Sequence, residues 1–448
     1  MKKLVSRFMA VLMAMTMILS MSMTAFAAEA SKGTLTVNNT VEGKTLDLYQ
    51  IFTATKNEAG NVAYTLNSAY EGFFKTKVEN GSSLSGEALS EAAYDYVKTQ
   101  VGPDGNNGAA FAKDIMGWIL GNTATVEATH TTADTADTKT VINNLDYGYY
   151  VVYPLGATDT STAPGNETVK SVASLVSITG TDATVNMKSN YPTVVKKVND
   201  KNADDVNIGD EVTYTLTSKV PDMTGYTSYV FNFKDTLSAG LTFKEITSVT
   251  VGSGENVQNV TAGTGDNTYT LTQDGQNITI TMNNFLASNA NKAGQEIKVT
   301  YTATLNKDAV TGFDPNTNKA TVEYSNKPGT DDKGESEPSK VDVHTFNFTI
   351  FKYYLKGADK TGLANAEFEL YKANGAGDAA DENAKINIVD EGKGVYRQAT
   401  ADEAKATGFT SAKIVSDADG KVLVKGLDAG TYYLRETKAP EGYNKLLS

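Results

Sequence analysis

Short stretches in which apolar and polar residues alternate recur through most of this chain, and they limit its fold more than any other feature. Examples are "DEVTYTLTSKV" at residues 210–220 and "QEIKVTYTATL" at residues 295–305. Strict alternation predicts strands with one buried and one solvated face, and the Asn, Gly and Asp residues between the stretches predict turns. We therefore expect a mainly β protein built from β-sandwiches.

The first residues indicate export from the cell. Residues 1–27 contain Lys2, Lys3 and Arg7, then an apolar run, and end in "AFA". This pattern is typical of a cleaved secretory signal peptide, and a retained membrane anchor is the alternative. Removing the peptide takes the net charge from −13 to −16. We expect such an acidic mature chain to have neither nucleic acid nor membrane as a partner.

The remaining chain divides into three predicted domains. Residues 28–190 read as a β domain with a helical insertion, "SGEALSEAAYDYVKTQV" and "GAAFAKDIMGWIL", which places Trp118 in a core. Residues 191–343 read as a Greek-key sandwich of about eight strands. Its polar stretch "SNKPGTDDKGESEPSK" is either a hairpin loop or part of a linker. Residues 344–448 offer four strands, too few for a closed sandwich, so we expect the chain to stop before the last strand.

The residue types argue against cofactor chemistry. The chain has no Cys and only two His, His130 and His344, in unlike contexts. A dedicated zinc or haem site needs more ligands of these types, and a Ser-His-Asp set is not credible here. We expect no metal, no cofactor and no enzymatic activity.

Several stretches resemble a known family. "YYLRETKAPEGYN" is similar to the E-box of sortase-assembled pilins, and the last domain around it resembles a CnaB-type, SpaA-like domain of Gram-positive surface proteins. The pieces "PTVVKKV", "IGDEVTYTLTSKVPD" and "NKATVEYSN" resemble the fimbrial isopeptide-forming domain of major pilins. The resemblance implies tandem Ig-like or CnaB-type sandwiches in the shaft subunit of a covalent Gram-positive pilus.

The same resemblance implies the partners and the location. They are other pilin subunits joined head to tail, a pilus-specific sortase and, through sortase, peptidoglycan, at the cell wall outside the cell. A monomeric cell-wall adhesin that binds a host or matrix ligand is the alternative. The family's LPxTG-like sorting signal does not occur before Ser448.

In this family a Lys and an Asn condense to an isopeptide bond with the help of a buried acid. The resemblance maps them to Lys196, Asn318 and Asp235, with Lys197 expected on the opposite strand face. The chemistry requires a neutral amine and a protonated acid, and burial among apolar side chains favours both. The fold must also hold the three groups together.

The outer domains carry weaker versions of this set. In the last domain the resemblance maps the amine to Lys352 and the acid to Glu436, and the matching Asn is expected on a strand after the E-box, because Asn444 comes too early. In the first domain Asn38 and Asn39 stand where a reactive Lys is expected. We therefore predict no isopeptide bond in the first domain.

Polymerising pilins also use a Lys just before the middle domain. Tyr191-Pro192 is followed here by Thr193 rather than Lys. Lys188 is the better candidate for the polymerising residue, and Lys197 is the alternative.

Overall fold

The computed structural model describes residues 31–101, 107–158, 172–187 and 191–445. These ranges form three β-rich units in chain order, so the mainly β class predicted from the alternation is confirmed. A membrane-crossing helix, which must be long and apolar, does not occur in them. The predicted signal peptide, residues 1–27, lies outside the described residues.

The first unit is a two-sheet sandwich with helices against one sheet. One sheet has the order β5-β1-β8, and the other has the order β3-β2-β6-β7 with β4 on β2. The strands are β1 Lys32–Asn38, β2 Leu46–Lys56, β3 Val62–Leu66, β4 His130–Thr132, β5 Lys139–Asp146, β6 Gly148–Pro154, β7 Ser174–Ile178 and β8 Ala183–Asn186. The helices are α1 Glu71–Lys75, α2 Gly86–Val101 and α3 Gly108–Gly121.

Strand β6, "GYYVVYP", is buried along its whole length. Tyr150 and Val152 pack toward the other sheet, whereas Tyr149, Val151 and Tyr153 belong to the core under the helices. Both faces of the strand are covered, so its sequence shows no polar alternation. The helical insertion predicted from the sequence is confirmed, and Trp118 packs partly buried against its core.

The middle unit consists of two facing sheets around the largest core cluster. One sheet has the order β14-β13-β18-β11-β9, and the other has the order β10-β21-β19-β12-β17-β16-β15 with β20 on β19. The strands are β9 Val195–Val198, β10 Ala203–Asp205, β11 Glu211–Lys219, β12 Phe231–Leu237, β13 Leu241–Val251, β14 Gln258–Asn259, β15 Thr261–Ala262, β16 Thr268–Asp274, β17 Asn277–Met282, β18 Glu296–Leu305, β19 Asn316–Ser325, β20 Lys333–Glu335 and β21 Ser339–His344. A short helix, α4 Phe285–Asn289, precedes β18.

The polar stretch after β19 is a hairpin rather than a linker. Strand β21 returns antiparallel to β19, with Asn318 opposite Val341, and β20 adds a short pairing to the end of β19. Of the two alternatives left open by the sequence, the structure has the hairpin loop. The hairpin carries β21 to the sandwich edge where β9 lies, and the Lys196 backbone N–H there donates to the Ser339 hydroxyl at 3.0 Å.

The third unit has more strands than the sequence predicts. They are β22 Phe346–Phe351, β23 Tyr353–Lys356, β24 Asp359–Gly362, β25 Glu367–Ala373, β26 Ala380–Lys385, β27 Ile388–Gly392, β28 Val395–Gln398, β29 Ile414–Val415, β30 Lys421–Leu427 and β31 Tyr432–Lys438, with helix α5 Ala401–Lys405. The sheets β22-β30-β28-β27 and β26-β25-β29, with β31 on β25, enclose their own apolar core. The count of four strands was therefore too low, because short charged strands such as "ADENAK" lack the alternation by which strands are recognised in a sequence. Whether a further strand follows stays a prediction.

The first and middle units touch through paired side chains. Lys44 Nζ donates to the Glu335 carbonyl at 2.9 Å and to the Tyr324 hydroxyl at 3.3 Å, and it lies 5.1 Å from the ring centre of Tyr191. From the other side, Lys327 Nζ reaches the buried carboxylate of Asp47 at 3.8 Å. These contacts tie the β1–β2 loop and the start of β2 to the middle unit's β19–β20 hairpin.

Candidate functional site

The amine of the candidate site comes from an edge strand whose alternation points it inward. Strand β9 reads Val195-Lys196-Lys197-Val198 and pairs with β11, with Lys196 opposite Leu216. The Lys196 side chain has no exposed surface, whereas Lys197 is half-buried and its Nζ donates to Asn202 Oδ1 at 2.6 Å. Alternation along one strand thus separates two adjacent lysines into a core group and a surface group.

The acid and the amide come from the facing sheet. Strands β12 and β19 are antiparallel neighbours, with Asp235 opposite Ala320 and Leu237 opposite Asn318. Asp235 and Asn318 are therefore diagonal neighbours on one face of the sheet, close enough for their side chains to share a partner. Both are buried, at 2% and 0% exposure.

The three predicted residues meet around a fourth, Tyr301 on β18. Lys196 Nζ makes a short contact with Asp235 Oδ2 and donates to the Tyr301 hydroxyl at 2.8 Å. The Tyr301 hydroxyl donates to Asp235 Oδ2 at 2.9 Å, and Asn318 Nδ2 donates to the same hydroxyl at 2.6 Å. One phenol oxygen is thus in hydrogen-bond contact with the amine, the acid and the amide.

Burial shifts the pKa values of the amine and the acid in this cluster toward their neutral forms. Loss of hydration raises the pKa of Asp235 above its ordinary value, and the opposing effects of Lys196 and Tyr301 are smaller. The same loss lowers the pKa of Lys196, against the smaller effect of Asp235. Both shifts favour the neutral amine and the protonated acid. A neutral amine is a nucleophile, and a protonated acid can donate to a carboxamide.

Two buried oxygen atoms of the cluster that lack a hydrogen-bond donor also favour a protonated Asp235. Asp235 Oδ1 and Asn318 Oδ1 are buried and have no hydrogen-bond partner among the residues that the structure describes. A buried acceptor without a donor is costly, and two carbonyl-type oxygens cannot satisfy each other. A proton on Asp235 would turn one of these acceptors into a donor.

Aromatic rings surround the amine of Lys196. Lys196 Nζ lies 4.9 Å from the ring centre of Tyr214 and 5.1 Å from that of Tyr301. The two rings are stacked with centroids 5.2 Å apart, and Phe243 packs against Tyr301 at 5.7 Å. This wall excludes water from the amine and fixes the position of the Tyr301 hydroxyl.

The third unit brings its two predicted residues together as an ion pair. Lys352, between β22 and β23, places Nζ 2.7 Å from Glu436 Oε1 on β31. The two side chains are 10% and 1% exposed. Asn444 is exposed just after a turn in which the Tyr443 N–H donates to the Pro440 carbonyl at 3.1 Å. It lies beyond the strand that carries Glu436.

The first unit places its two Asn residues at a strand end. Asn38 Nδ2 donates to Asn186 Oδ1 at 2.9 Å in an exposed position, and Asn39 has a φ of 59° at the turn that follows β1. A left-handed turn suits Asn, so a local backbone requirement accounts for this residue. Lys188, predicted from the sequence for polymerisation, lies outside the described residues.

Sequence reasoning did not identify Tyr301. Its stretch "VTYTATL" predicts a strand through its alternation and indicates no site residue by itself. The signal was nevertheless present, because a tyrosine at an inward-facing position brings a hydroxyl into the core that needs a polar partner. Which partner it meets depends on the opposite sheet.

Two parts of the chain match known domain families. Residues 208–328 match the Gram-positive pilin backbone subunit 2, Cna-B-like domain, and residues 352–448 match the SpaA prealbumin-like fold domain. The first match contains Asp235, Tyr301 and Asn318. The second contains Lys352 and Glu436.

Similar whole proteins are surface and fimbrial proteins. The trypsin-resistant surface T6 protein of Streptococcus pyogenes serotype M6 is 25% identical over 288 residues, which cover 57% of this chain and 44% of that protein. Fimbrial subunit type 2 of Actinomyces naeslundii is 26% identical over 279 residues, which cover 58% of this chain and 50% of that protein. The chain thus spans about half the length of these curated relatives.

The solved T6 backbone pilin of Streptococcus pyogenes, described as modular and three-domain, aligns with a TM-score of 0.49 at 20% identity. That alignment covers 94% of this chain and 79% of that one.

Proposed function

We propose that this chain is the shaft subunit of a covalently polymerised pilus, because two of its parts match a Gram-positive pilin backbone domain and a SpaA prealbumin-like domain. Its work is mechanical rather than enzymatic. Subunits join head to tail through a pilus-specific sortase, with Lys188 or Lys197 supplying the amine, and the polymer is attached to peptidoglycan at the cell surface. Neither nucleic acid nor a membrane is a partner of the mature chain.

One observation carries this proposal, namely the buried cluster of Lys196, Asp235 and Asn318. In the proposed reaction Lys196 Nζ attacks Asn318 Cγ, the Cγ–Nδ2 bond breaks and ammonia leaves. One proton departs from the attacking amine and one arrives at the leaving nitrogen, so Asp235 ends as it began. The raised pKa of Asp235 and the lowered pKa of Lys196 support the neutral starting forms.

The resulting bond would tie β9 on one sheet to β19 on the other. A shaft subunit transmits tension along its length, and a covalent bond across the sandwich prevents the two sheets from separating under load. In the third unit, Lys352 and Glu436 are proposed as the amine and the acid of an equivalent site.

Intact-mass measurement of the purified mature chain tests the condensation. We expect the wild type to lack at least one ammonia relative to its sequence, and Lys196→Ala to restore one ammonia. Lys197→Ala is the matched control, since its side chain is adjacent in sequence but faces away from the core. An unmodified wild-type mass would overturn the proposed chemistry.

A second experiment tests the assembly. Cells that express the chain together with a pilin sortase should yield a boiling-resistant ladder of cell-wall polymers. A single wall-attached species without a ladder would favour the monomeric adhesin instead.

A further inference from the structure

We infer that the Tyr301 hydroxyl relays a proton from the attacking amine of Lys196 to the leaving nitrogen of Asn318. This role rests on the proposed condensation. In this role Tyr301 is a catalytic residue, and its ring is not only part of the aromatic surroundings of the amine. The inference follows from which atoms the hydroxyl contacts.

The phenol oxygen stands between the two nitrogens that must exchange a proton. It lies 2.8 Å from Lys196 Nζ and 2.6 Å from Asn318 Nδ2. Asp235 Oδ2 contacts Lys196 Nζ and accepts from Tyr301 at 2.9 Å. The carboxyl group of Asp235 is therefore in direct contact with the amine of Lys196, whereas the amide nitrogen of Asn318 is hydrogen-bonded to Tyr301.

The supporting structure holds this oxygen in place. Strand β18 lies inside its sheet, paired with β11 on one side and β13 on the other. Tyr301 is directly opposite Tyr214 in that pairing, and the two rings are stacked at 5.2 Å. Burial also raises the pKa of Tyr301 well above its ordinary value, so the phenol keeps its proton.

The proton balance of the step closes without another reactant. Before the reaction the amide nitrogen of Asn318 can only donate a hydrogen bond, here to Tyr301, because its lone pair is delocalised into the carbonyl group. When Lys196 Nζ has bonded to Cγ, that nitrogen becomes an amine and can accept. Tyr301 then takes a proton from Nζ as its own proton passes to Nδ2. The Cγ–Nδ2 bond breaks, ammonia departs and the phenol is restored.

Tyr214 provides a matched control. It is also a fully buried tyrosine, and its ring is as close to Lys196 Nζ as that of Tyr301. Its hydroxyl lies near the Asn318 side chain but makes no hydrogen bond of normal geometry within the described part of the chain, and it does not contact the amine or the acid. Replacing either residue by Phe removes one hydroxyl and preserves the ring. If the rings matter only as an apolar wall, the two variants should behave alike.

The test follows condensation in the newly made full mature chain. Cell-free synthesis is stopped after a short pulse, samples are quenched in acidic denaturant at intervals, and intact mass gives the fraction that has lost ammonia. We expect Tyr301→Phe to slow this loss by about 100-fold or more, the usual contribution of general acid–base catalysis. Tyr214→Phe should stay close to the wild-type rate. In D₂O the wild type should slow and Tyr301→Phe should respond less.

The rates of the two Phe variants separate the relay by Tyr301 from the condensation itself. Equal rates for Tyr301→Phe and the wild type would overturn the relay while leaving the condensation intact. Equal slowing of both Phe variants would also overturn it, in favour of an apolar wall. No ammonia loss in the wild type would instead overturn the proposed function.

A second variant covers the case in which Tyr301→Phe does not fold. Site-specific 3-fluorotyrosine at position 301 keeps the hydroxyl and the ring but makes the phenol more acidic. We expect it to change the condensation rate at a fixed pH, because the phenol donates and accepts the relayed proton, and the same analogue at position 214 to leave that rate unchanged. An unchanged rate at position 301 would overturn the relay.

Discussion

Lys196 and Asp235 meet in the core of the middle unit, and neither side chain has any exposed surface. The two residues come from facing sheets, so their contact spans the sandwich. Burial acts on them in opposite directions, raising the pKa of the acid and lowering that of the amine. Each shift favours the neutral form of its group, which suits a pair that exchanges protons during the proposed condensation.

Removing the acid should remove the crosslink. For Asp235→Ala we expect the ammonia loss to disappear and the free energy of unfolding to fall by about 4–5 kcal/mol, by analogy with a disulfide that closes a loop of about 120 residues. Intact mass and urea unfolding of the same samples measure both effects. Asp204→Ala is the control, because its partner Lys201 is exposed and the ion pair lies at the surface. Retention of the ammonia loss in Asp235→Ala would contradict the assigned role.

Without condensation, the cluster should make stability depend on pH in two opposite ways. In Asn318→Ala the raised pKa of Asp235 contributes stability that is complete below the ordinary value of 3.8 and is lost as pH rises through the folded value. The lowered pKa of Lys196 contributes stability that is complete above 10.5 and is lost as pH falls through the folded value. Stability should therefore be lowest between the two folded pKa values.

Urea unfolding at a series of pH values measures this minimum. The reference is Asn318→Ala that also carries Lys196→Met and Asp235→Leu, in which neither group titrates. The difference in unfolding free energy between the two proteins should pass through a minimum. A difference that changes in one direction only across the whole range would show that one of the two shifts is absent.

The ion pair of the third unit should be important for that unit's stability. Glu436→Ala leaves the amine of Lys352 without its buried partner, which typically costs about 3–5 kcal/mol. Glu367→Ala, whose partner Lys438 is 66% exposed, should cost at most about 1 kcal/mol. Hydrogen exchange in β25 and β30 reports the local free energy of opening. Equal effects of the two variants would indicate that the Lys352–Glu436 pair is open to water.

The contact of Lys44 should couple the first and middle units. Lys44→Ala removes a hydrogen bond to Glu335 and a cation–π contact with Tyr191, together worth about 1–2 kcal/mol. We expect calorimetry to show the unfolding transitions of the two units moving apart. Lys32→Ala, which breaks an exposed ion pair within the first unit, should leave their separation unchanged.

The polymerising lysine can be identified by substitution. In cells that carry the pilin sortase, Lys188→Ala should reduce the cell-wall ladder to monomer, because the amine that accepts the neighbouring subunit is gone. Lys197→Ala should leave the ladder intact. The reverse result would assign polymerisation to Lys197, which is half-buried on the outer face of β9.

The sequence by itself determined most of the longer strands of the middle unit, about eight of the thirteen, and the alternation of their side chains between the two faces. Alternation has a period of two, so the two adjacent lysines of "VVKKV" must face opposite ways. The family resemblance indicated Lys196 as the reactive one, and the structure places it inward. The same rule failed in the third unit, where short charged strands such as Ala380–Lys385 have no apolar face. It also could not reveal why β6 is apolar throughout, since that depends on helices packed against its second face.

Only the tertiary structure decided how the residues of the site meet. Asp235 and Asn318 become diagonal neighbours through the register of β12 and β19, and Tyr301 reaches both because the opposite sheet packs against them. Alternation states which face of a strand a residue occupies but not which residue faces it from another sheet, about 10 Å away. The shared hydroxyl of Tyr301 is therefore a property of sheet packing, whereas the inward lysine is a property of the strand.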